Sequence, residues 1–149
     1  MEILFICTGN TCRSPMAAAL LGAQLLPGVT AASAGISAFP GEEANPYAVE
    51  AMKRRGIDLS EHEAKQVTRE MIERAHLVIC MEKGQAEVLR DAFEEADLDR
   101  KIYSFREFFG GSTKDIPDPY GGDEQVYENC AVLLEKYIKK FVKKILMQE

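Results

Sequence analysis

Four apolar residues, Ile3-Leu4-Phe5-Ile6, run directly into Cys7-Thr8-Gly9-Asn10-Thr11-Cys12-Arg13-Ser14, and an Ala- and Leu-rich stretch, Pro15 to Leu26, follows. The short continuous apolar run reads as a buried strand, the octet as a tight loop and the third stretch as a helix. A loop between a strand end and a helix N-terminus aims several backbone N–H groups at one point, beside the positive end of the helix dipole. Such a point binds phosphate-like anions. Here a cysteine opens the loop and an arginine closes it, with five residues between them. Cysteine supplies a nucleophile, and arginine supplies a planar fork of donors for a tetrahedral oxyanion.

The remaining chain continues the alternation. Val29 to Ala34 reads as a second strand, broken at Gly35. Ala44 to Arg55 reads as a helix with Asn45 as cap and Pro46 at its first position, stopped by Gly56. Thr68 to Ala75 reads as helix with Thr68 as cap. Leu77 to Met81 is a second continuous apolar run, Lys83 to Phe93 a helix, and Lys101 to Ser104 a short strand. Glu107 to Gly122 is a long loop bearing Gly and Pro, and loops of that length in compact domains commonly carry function. Gln125 to Met147 reads as a terminal helix burying Val126, Cys130, Leu133, Leu134, Tyr137, Ile138, Phe141 and Ile145, which recur at three- and four-residue intervals. We find no internal repeat and no linker. The expectation is an α/β fold: one three-layer domain over residues 1–149, with a central, mostly parallel four-stranded sheet and helices on both faces. In such sheets ligands bind beyond the carboxyl ends of strands, where the Cys7 loop lies.

Composition narrows the function classes. The 149-residue chain carries a net charge of −6, and its Lys-rich run, Lys136 to Lys144, reads as a solvated helix face, so nucleic acid is not an expected partner. No apolar run approaches a membrane span. The chain opens on what reads as a core strand, so no cleaved leader is expected, and the expected compartment is the cytoplasm. Its four cysteines should then be reduced thiols. His62 and His76 have no metal-ligand spacing with cysteine, so neither metal nor cofactor is expected, and His62 receives no role.

A free thiol has a pKa of roughly 8.5. At a helix N-terminus beside Arg13, with the Ser14 hydroxyl to donate, Cys7 should be largely thiolate. Arg13 can bind two equatorial oxygens at once and stays charged through a transition state. The consistent reaction is in-line attack of sulfur on phosphorus, giving a cysteinyl-phosphate that water cleaves. The leaving group needs a proton. Asp118, in Ile116-Pro117-Asp118-Pro119-Tyr120-Gly121-Gly122, is the donor of choice because prolines brace it on both sides; Asp115 and Asp123 rank below it. Cys12 reads as core packing or as a redox partner for Cys7. Cys80 and Cys130 read as packing residues. Asn10 is a residue type that tolerates left-handed backbone, which a loop wrapping an anion often needs.

These residues carry a resemblance. Cys-x5-Arg-Ser at 7–14, Ser33-Ala34-Gly35, His62 to Thr68, Ile79-Cys80-Met81 and Asp118-Pro119-Tyr120 together resemble the low-molecular-weight protein-tyrosine phosphatases along nearly the whole chain. The resemblance implies Cys7 as nucleophile, Arg13 as phosphate clamp and Asp118 as general acid. It further implies that the backbone of Thr8, Gly9, Asn10, Thr11, Cys12, Arg13 and Ser14 cradles phosphate, that Asn10 shapes the loop, and that Ser14 supports the thiolate. It makes Ser33 a brace for Asn10, Tyr120 a pocket wall, and Cys12 the partner of Cys7 in a reversible disulfide under oxidation. Tyrosine-specific members usually carry a bulky aliphatic residue where this chain has Thr11, and the stretch from Cys7 to Ala17 resembles the bacterial protein-arginine phosphatase branch. Threonine makes a smaller, partly polar wall beside a thin, charged guanidinium, so phosphoarginine on proteins is the expected substrate, taken by a monomer. The alternatives are a phosphotyrosine phosphatase, which shares every catalytic residue, an arsenate reductase, which needs a further cysteine that Met81 to Leu89 lacks, and a non-catalytic oxyanion-binding or redox module built on Cys7 and Cys12. Phosphocarrier domains that use a cysteine loop lack the closing arginine.

Overall fold

The computed structural model describes residues 1–94 and 97–147; positions 95, 96, 148 and 149 of the expected domain lie outside the described residues. Its centre is strand β1 (Glu2–Cys7). β1 pairs on one side with β2 (Thr30–Gly35) and on the other with β3 (Leu77–Cys80), which pairs with β4 (Ile102–Ser104). All three pairings are parallel, and the order is β2-β1-β3-β4. Along the chain the helices are α1 (Arg13–Gly22), α2 (Pro46–Lys53), α3 (Arg69–Arg74), α4 (Lys83–Ala92), α5 (Phe105–Phe108) and α6 (Glu124–Leu146).

Helices cover both faces of the sheet, which explains why β1 is a continuous apolar run rather than an alternating one. Its odd residues Ile3, Phe5 and Cys7 belong to a core shared with Met16, Phe105 and Phe141 from α1, α5 and α6. Its even residues Leu4 and Ile6 join Ile72, Val78 and Leu89 on the α3 and α4 side. The expected three layers are therefore present. The chain turns back from β1 to β2 on one side and crosses to β3 on the other, so the loop after β1 opens into the crevice where strand order reverses.

Local boundaries depart from expectation in instructive places. Helix α1 starts at Arg13, two residues before Pro15, because a proline in the first turn gives up an N–H that has no partner inside the helix. It ends at Gly22 rather than Leu26: Leu26 precedes Pro27, which disfavours helical backbone there, and Leu25 already turns left-handed with φ 52°. The Asn45 side chain caps α2 by accepting from Tyr47 N at 2.9 Å. That helix stops at Lys53, and Arg54 and Arg55 reach across to α6, with contacts of 2.8 Å to Glu124, 2.6 Å to Glu128 and 2.9 Å to Glu135.

On α6 the buried stripe is Tyr127, Cys130, Ala131, Leu134, Tyr137, Ile138, Phe141 and Ile145. The expected Val126 is 41% exposed and Leu133 half-buried. Tyr127 takes the inward position because its ring meets Tyr47, with centroids 5.5 Å apart, and its hydroxyl meets Cys12 at 3.2 Å. The lysine run is also less free than expected: Lys140 lies 4.7 Å over the Phe109 ring and Lys144 4.4 Å over Phe108. The expected loop from Glu107 begins inside α5, where Ser104 and Glu107 form a reciprocal cap.

Candidate active site

Strands β1 and β3 end side by side, with Ile6 opposite Cys80, so the segments that follow them meet. The first is the Cys7–Ser14 loop and the second is Met81-Glu82. A third segment, Ile116 to Tyr120, is tied to the second by Ile116 N donating to Met81 O at 3.0 Å. The first and third of these, with the segment 37–42 that follows β2, enclose a cavity of about 290 Å³ lined by Cys7, Thr8, Gly9, Thr11, Cys12, Arg13, Ser37, Phe39, Glu42, Asp118 and Tyr120. A second hollow, beside α2, is lined by Val49, Lys53 and residues 56–60 and holds neither a thiol nor an arginine.

Asn10 organises the loop. It is fully buried and left-handed, with φ 58°. Its Nδ2 donates to Ser14 Oγ at 2.8 Å and to Ser33 Oγ at 3.0 Å, and its Oδ1 accepts from Lys65 N at 2.9 Å. Its carbonyl accepts from His62 Nε2 at 2.7 Å. The energy lost by a left-handed asparagine and a buried amide is thus offset by four hydrogen bonds. Asn10 N also points at Cys7 Sγ, 3.3 Å away. Ser14 Oγ lies 2.9 Å from the same sulfur and 3.4 Å from the Ala34 carbonyl; because it accepts from Asn10, its one proton is shared between those two acceptors, the sulfur being the nearer.

Arg13 is 2% exposed. Its Nη1 donates to Glu82 Oε2 at 2.5 Å and to the Ile116 carbonyl at 2.8 Å. Its Nη2 lies 3.7 Å from Asp118 Oδ2. Glu82 is itself held by a reciprocal cap at the start of α4, in which Gln85 Oε1 accepts from Glu82 N at 2.9 Å. Gln85, which is buried, then donates through Nε2 to Thr8 Oγ1 at 3.1 Å. The thiol loop and the start of α4 are therefore one hydrogen-bonded unit.

The competing aspartates are occupied elsewhere. Asp115 accepts from Lys83 N at 3.1 Å, and Asp123 caps α6 by accepting from Val126 N at 3.0 Å. Among the described residues Asp118 accepts a hydrogen bond only from Tyr120 N, at 3.0 Å, through Oδ1, and its Oδ2 lies 3.7 Å from Arg13 Nη2. Among the four free thiols, burial pushes Cys12 above its ordinary value, against hydrogen bonds from Tyr127 and Thr11. Burial pushes Cys130 up to about 12 and Cys80 further still, as packing residues require.

The structure thus brings Cys7, Arg13, Asp118, Thr11, Cys12 and Tyr120 to one cavity and Ser14 and Ser33 to the residues that shape it. His62, expected to have no role, holds the Asn10 carbonyl. Glu82, Gln85, Lys65, Tyr127, Phe39 and Glu42 were not expected at the site. Only Glu82 and Gln85 left a local trace, as a capping pair three apart across the start of a helix; the others depend on contacts remote in sequence.

Comparison with known proteins gives the same picture. The profile of the family described as low molecular weight phosphotyrosine protein phosphatase matches residues 2–149. The chain is 40% identical over 148 residues to a protein-arginine-phosphatase of Geobacillus stearothermophilus, covering 99% of this chain and 98% of that one. It is 39% identical to a probable low molecular weight protein-tyrosine-phosphatase, EpsP, of Ralstonia solanacearum, covering 96% and 94%. A solved structure of the YwlE arginine phosphatase, a C7S mutant with phosphorylated active site serine, superposes with a TM-score of 0.90 at 35% identity, covering 97% of this chain and 95% of that one.

Proposed function

The chain belongs to the low molecular weight phosphotyrosine protein phosphatase family, and from that membership we propose that it removes phosphate from phosphoarginine on proteins through a cysteinyl-phosphate intermediate. The observation that carries the reading is Thr11 in the wall of the cavity that holds Cys7, Arg13 and Asp118. A short, partly polar wall suits a flat cation better than an aromatic ring, and the carbonyl oxygen of the Asp118 carboxyl can accept a hydrogen bond from the guanidinium while its proton is kept for the leaving nitrogen.

In the first step the Cys7 thiolate attacks phosphorus in line, the S–P bond forms, the P–N bond breaks, and the Asp118 carboxyl gives its proton to the departing nitrogen. Nη1 of Arg13 is taken by Glu82 and Ile116, which leaves the Nε–Nη2 edge for a two-pronged grip on two phosphoryl oxygens. The loop N–H groups from Thr8 to Ser14 hold the rest of the charge. In the second step Asp118 takes a proton from water, the water oxygen bonds to phosphorus, and the S–P bond breaks to return the thiolate and release phosphate. The relative with a phosphorylated active-site serine supports attack from this position. Ser14 supports the sulfur, Ser33 braces Asn10 and Tyr120 walls the pocket. Peroxide would convert Cys7 to a sulfenic acid, which condenses with the Cys12 thiol to a disulfide and water.

We place this single-domain enzyme in the cytoplasm, as a monomer with phosphorylated proteins as its partners. A thiol nucleophile needs a reducing compartment, and a net charge of −6 opposes binding to nucleic acid and to anionic lipid. No helix among the described residues is long and apolar enough to cross a membrane.

Phosphotyrosine is the second reading, favoured by the exposed rings of Phe39 and Tyr120 at the cavity walls. Phosphate release from a phosphoarginine protein and a phosphotyrosine peptide, side by side with Cys7→Ser as blank, decides between them. Preference for phosphoarginine is expected; preference for phosphotyrosine keeps the mechanism and overturns the substrate, and release by Cys7→Ser overturns the mechanism.

A further inference from the structure

The cavity has opposite charge at its base and at its mouth. Arg13 is the only cation among the described lining residues, and it is buried at the base. The mouth carries Ser37, Phe39, Glu42, Asp118 and Tyr120. Asp118 faces Arg13, but no cation among the described residues pairs with Glu42. An unpaired carboxylate at the entrance repels a phosphoryl group on its way in. That cost is offset when the substrate brings a positive charge of its own to the same place.

The backbone of Glu42 is fixed there. Its N–H donates to Phe39 O at 3.1 Å, closing a turn over Pro40 and Gly41. The turn requires left-handed backbone at its third position, which Gly41 supplies with φ 88°. The segment 63–65 pins the turn: Gly41 N donates to Ala64 O at 2.9 Å and Ala64 N to Glu42 O at 2.8 Å. The neighbouring Lys65 N holds Asn10, so one segment sets both the phosphate loop and the position of Glu42. A pinned backbone lowers the ordering cost of binding to that of the Glu42 side-chain rotamers. The rings of Phe39 and Tyr120, 76% and 78% exposed, border the same mouth and offer faces that attract cations.

The geometry points to Glu42 as a specificity-determining residue: its carboxylate takes a lysine or arginine side chain that neighbours the phosphorylated residue in the substrate. The inference rests on the phosphatase reading and deepens it into a preference for basic sequence context.

The test uses two phosphoarginine peptides that differ only in the flanking residues, lysines in one and glutamines in the other. The wild-type kcat/KM should favour the lysine peptide about three-fold, the scale of an exposed ion pair, and the preference should fade at high salt. In Glu42→Gln the ratio should fall to near one, in Glu42→Lys it should invert, and in Glu42→Asp it should persist. Because each ratio is taken within one variant, partial misfolding cancels. A wild-type ratio of one, or a Glu42→Gln ratio equal to the wild type, overturns the inference. The same flanks built around phosphotyrosine separate the two readings: turnover of those peptides alone would overturn the phosphoarginine assignment, while the ratios still decide the role of Glu42.

Discussion

Glu82 Oε2 lies 2.5 Å from Arg13 Nη1, a pair 69 positions apart in sequence. Glu82 is 40% exposed at its side chain and Arg13 only 2%, so the carboxylate reaches in from the surface to a buried guanidinium. It occupies one end of the fork and so, in the proposed mechanism, sets which edge is left for phosphate.

Replacing Glu82 with glutamine should therefore free Arg13 to rotate and lower kcat/KM by about ten-fold, a loss in proportion to a misplaced clamp. Steady-state kinetics with inorganic phosphate as competitor checks this. If Glu82 merely competed with the substrate, phosphate would inhibit the variant more strongly than the wild type.

Thr11→Ile should move the phosphotyrosine-to-phosphoarginine ratio of kcat/KM by about ten-fold toward phosphotyrosine, the scale at which a pocket senses added methyl groups. An unchanged ratio would place selectivity in other walls.

Asp118→Asn should slow turnover by about a hundred-fold for substrates with poor leaving groups and much less for good ones, since a general acid matters most where the departing atom is basic. Equal losses across a leaving-group series would reduce Asp118 to a binding role.

Gly35 closes β2 against the phosphate loop. A Cβ there would stand 2.5 Å from Thr8 O, the carbonyl that accepts from Ser37 N at 2.9 Å. Gly35→Ala should cost about 1–3 kcal/mol of stability, as overpacking does, and lower activity with it. Thermal melting and phosphate release on the same sample would show both losses; an alanine variant of wild-type activity would disprove the close approach.

The hydrogen bond from Arg55 holds the Glu128 carboxyl below its ordinary value, with Arg54 assisting and burial opposing. A carboxylate depressed in the folded state contributes stability above its unfolded pKa of about 4.3 and loses it as pH falls through the folded value. Glu128→Gln should thus be less stable than wild type at neutral pH, by about 1 kcal/mol or less, and the gap should shrink as pH falls below the unfolded value and close once it has passed the lower folded one. Urea midpoints across that range read the gap directly.

What the sequence alone determined is what neighbouring residues decide among themselves. A run buried on both faces, an eight-residue loop and a helix start are contiguous, so Cys7, Arg13, Ser14 and the left-handed Asn10 could be assigned from order and residue type. The caps Asn45 and Thr68 were legible for the same reason, and Asp118 stood out through its two prolines. The family resemblance added Ser33, Thr11 and Tyr120. Tertiary structure alone decided the rest. Asp115 left the competition only because a distant Lys83 N–H claims it, whereas Asp123 is taken by a local cap on α6. Glu82 reaches Arg13 because β1 and β3 are neighbours in register, and His62 and Lys65 reach Asn10 because their segment packs against the loop. Strand order and packing are set by burial summed over the whole chain, and no local pattern of residues records which distant side chains that sum will bring together.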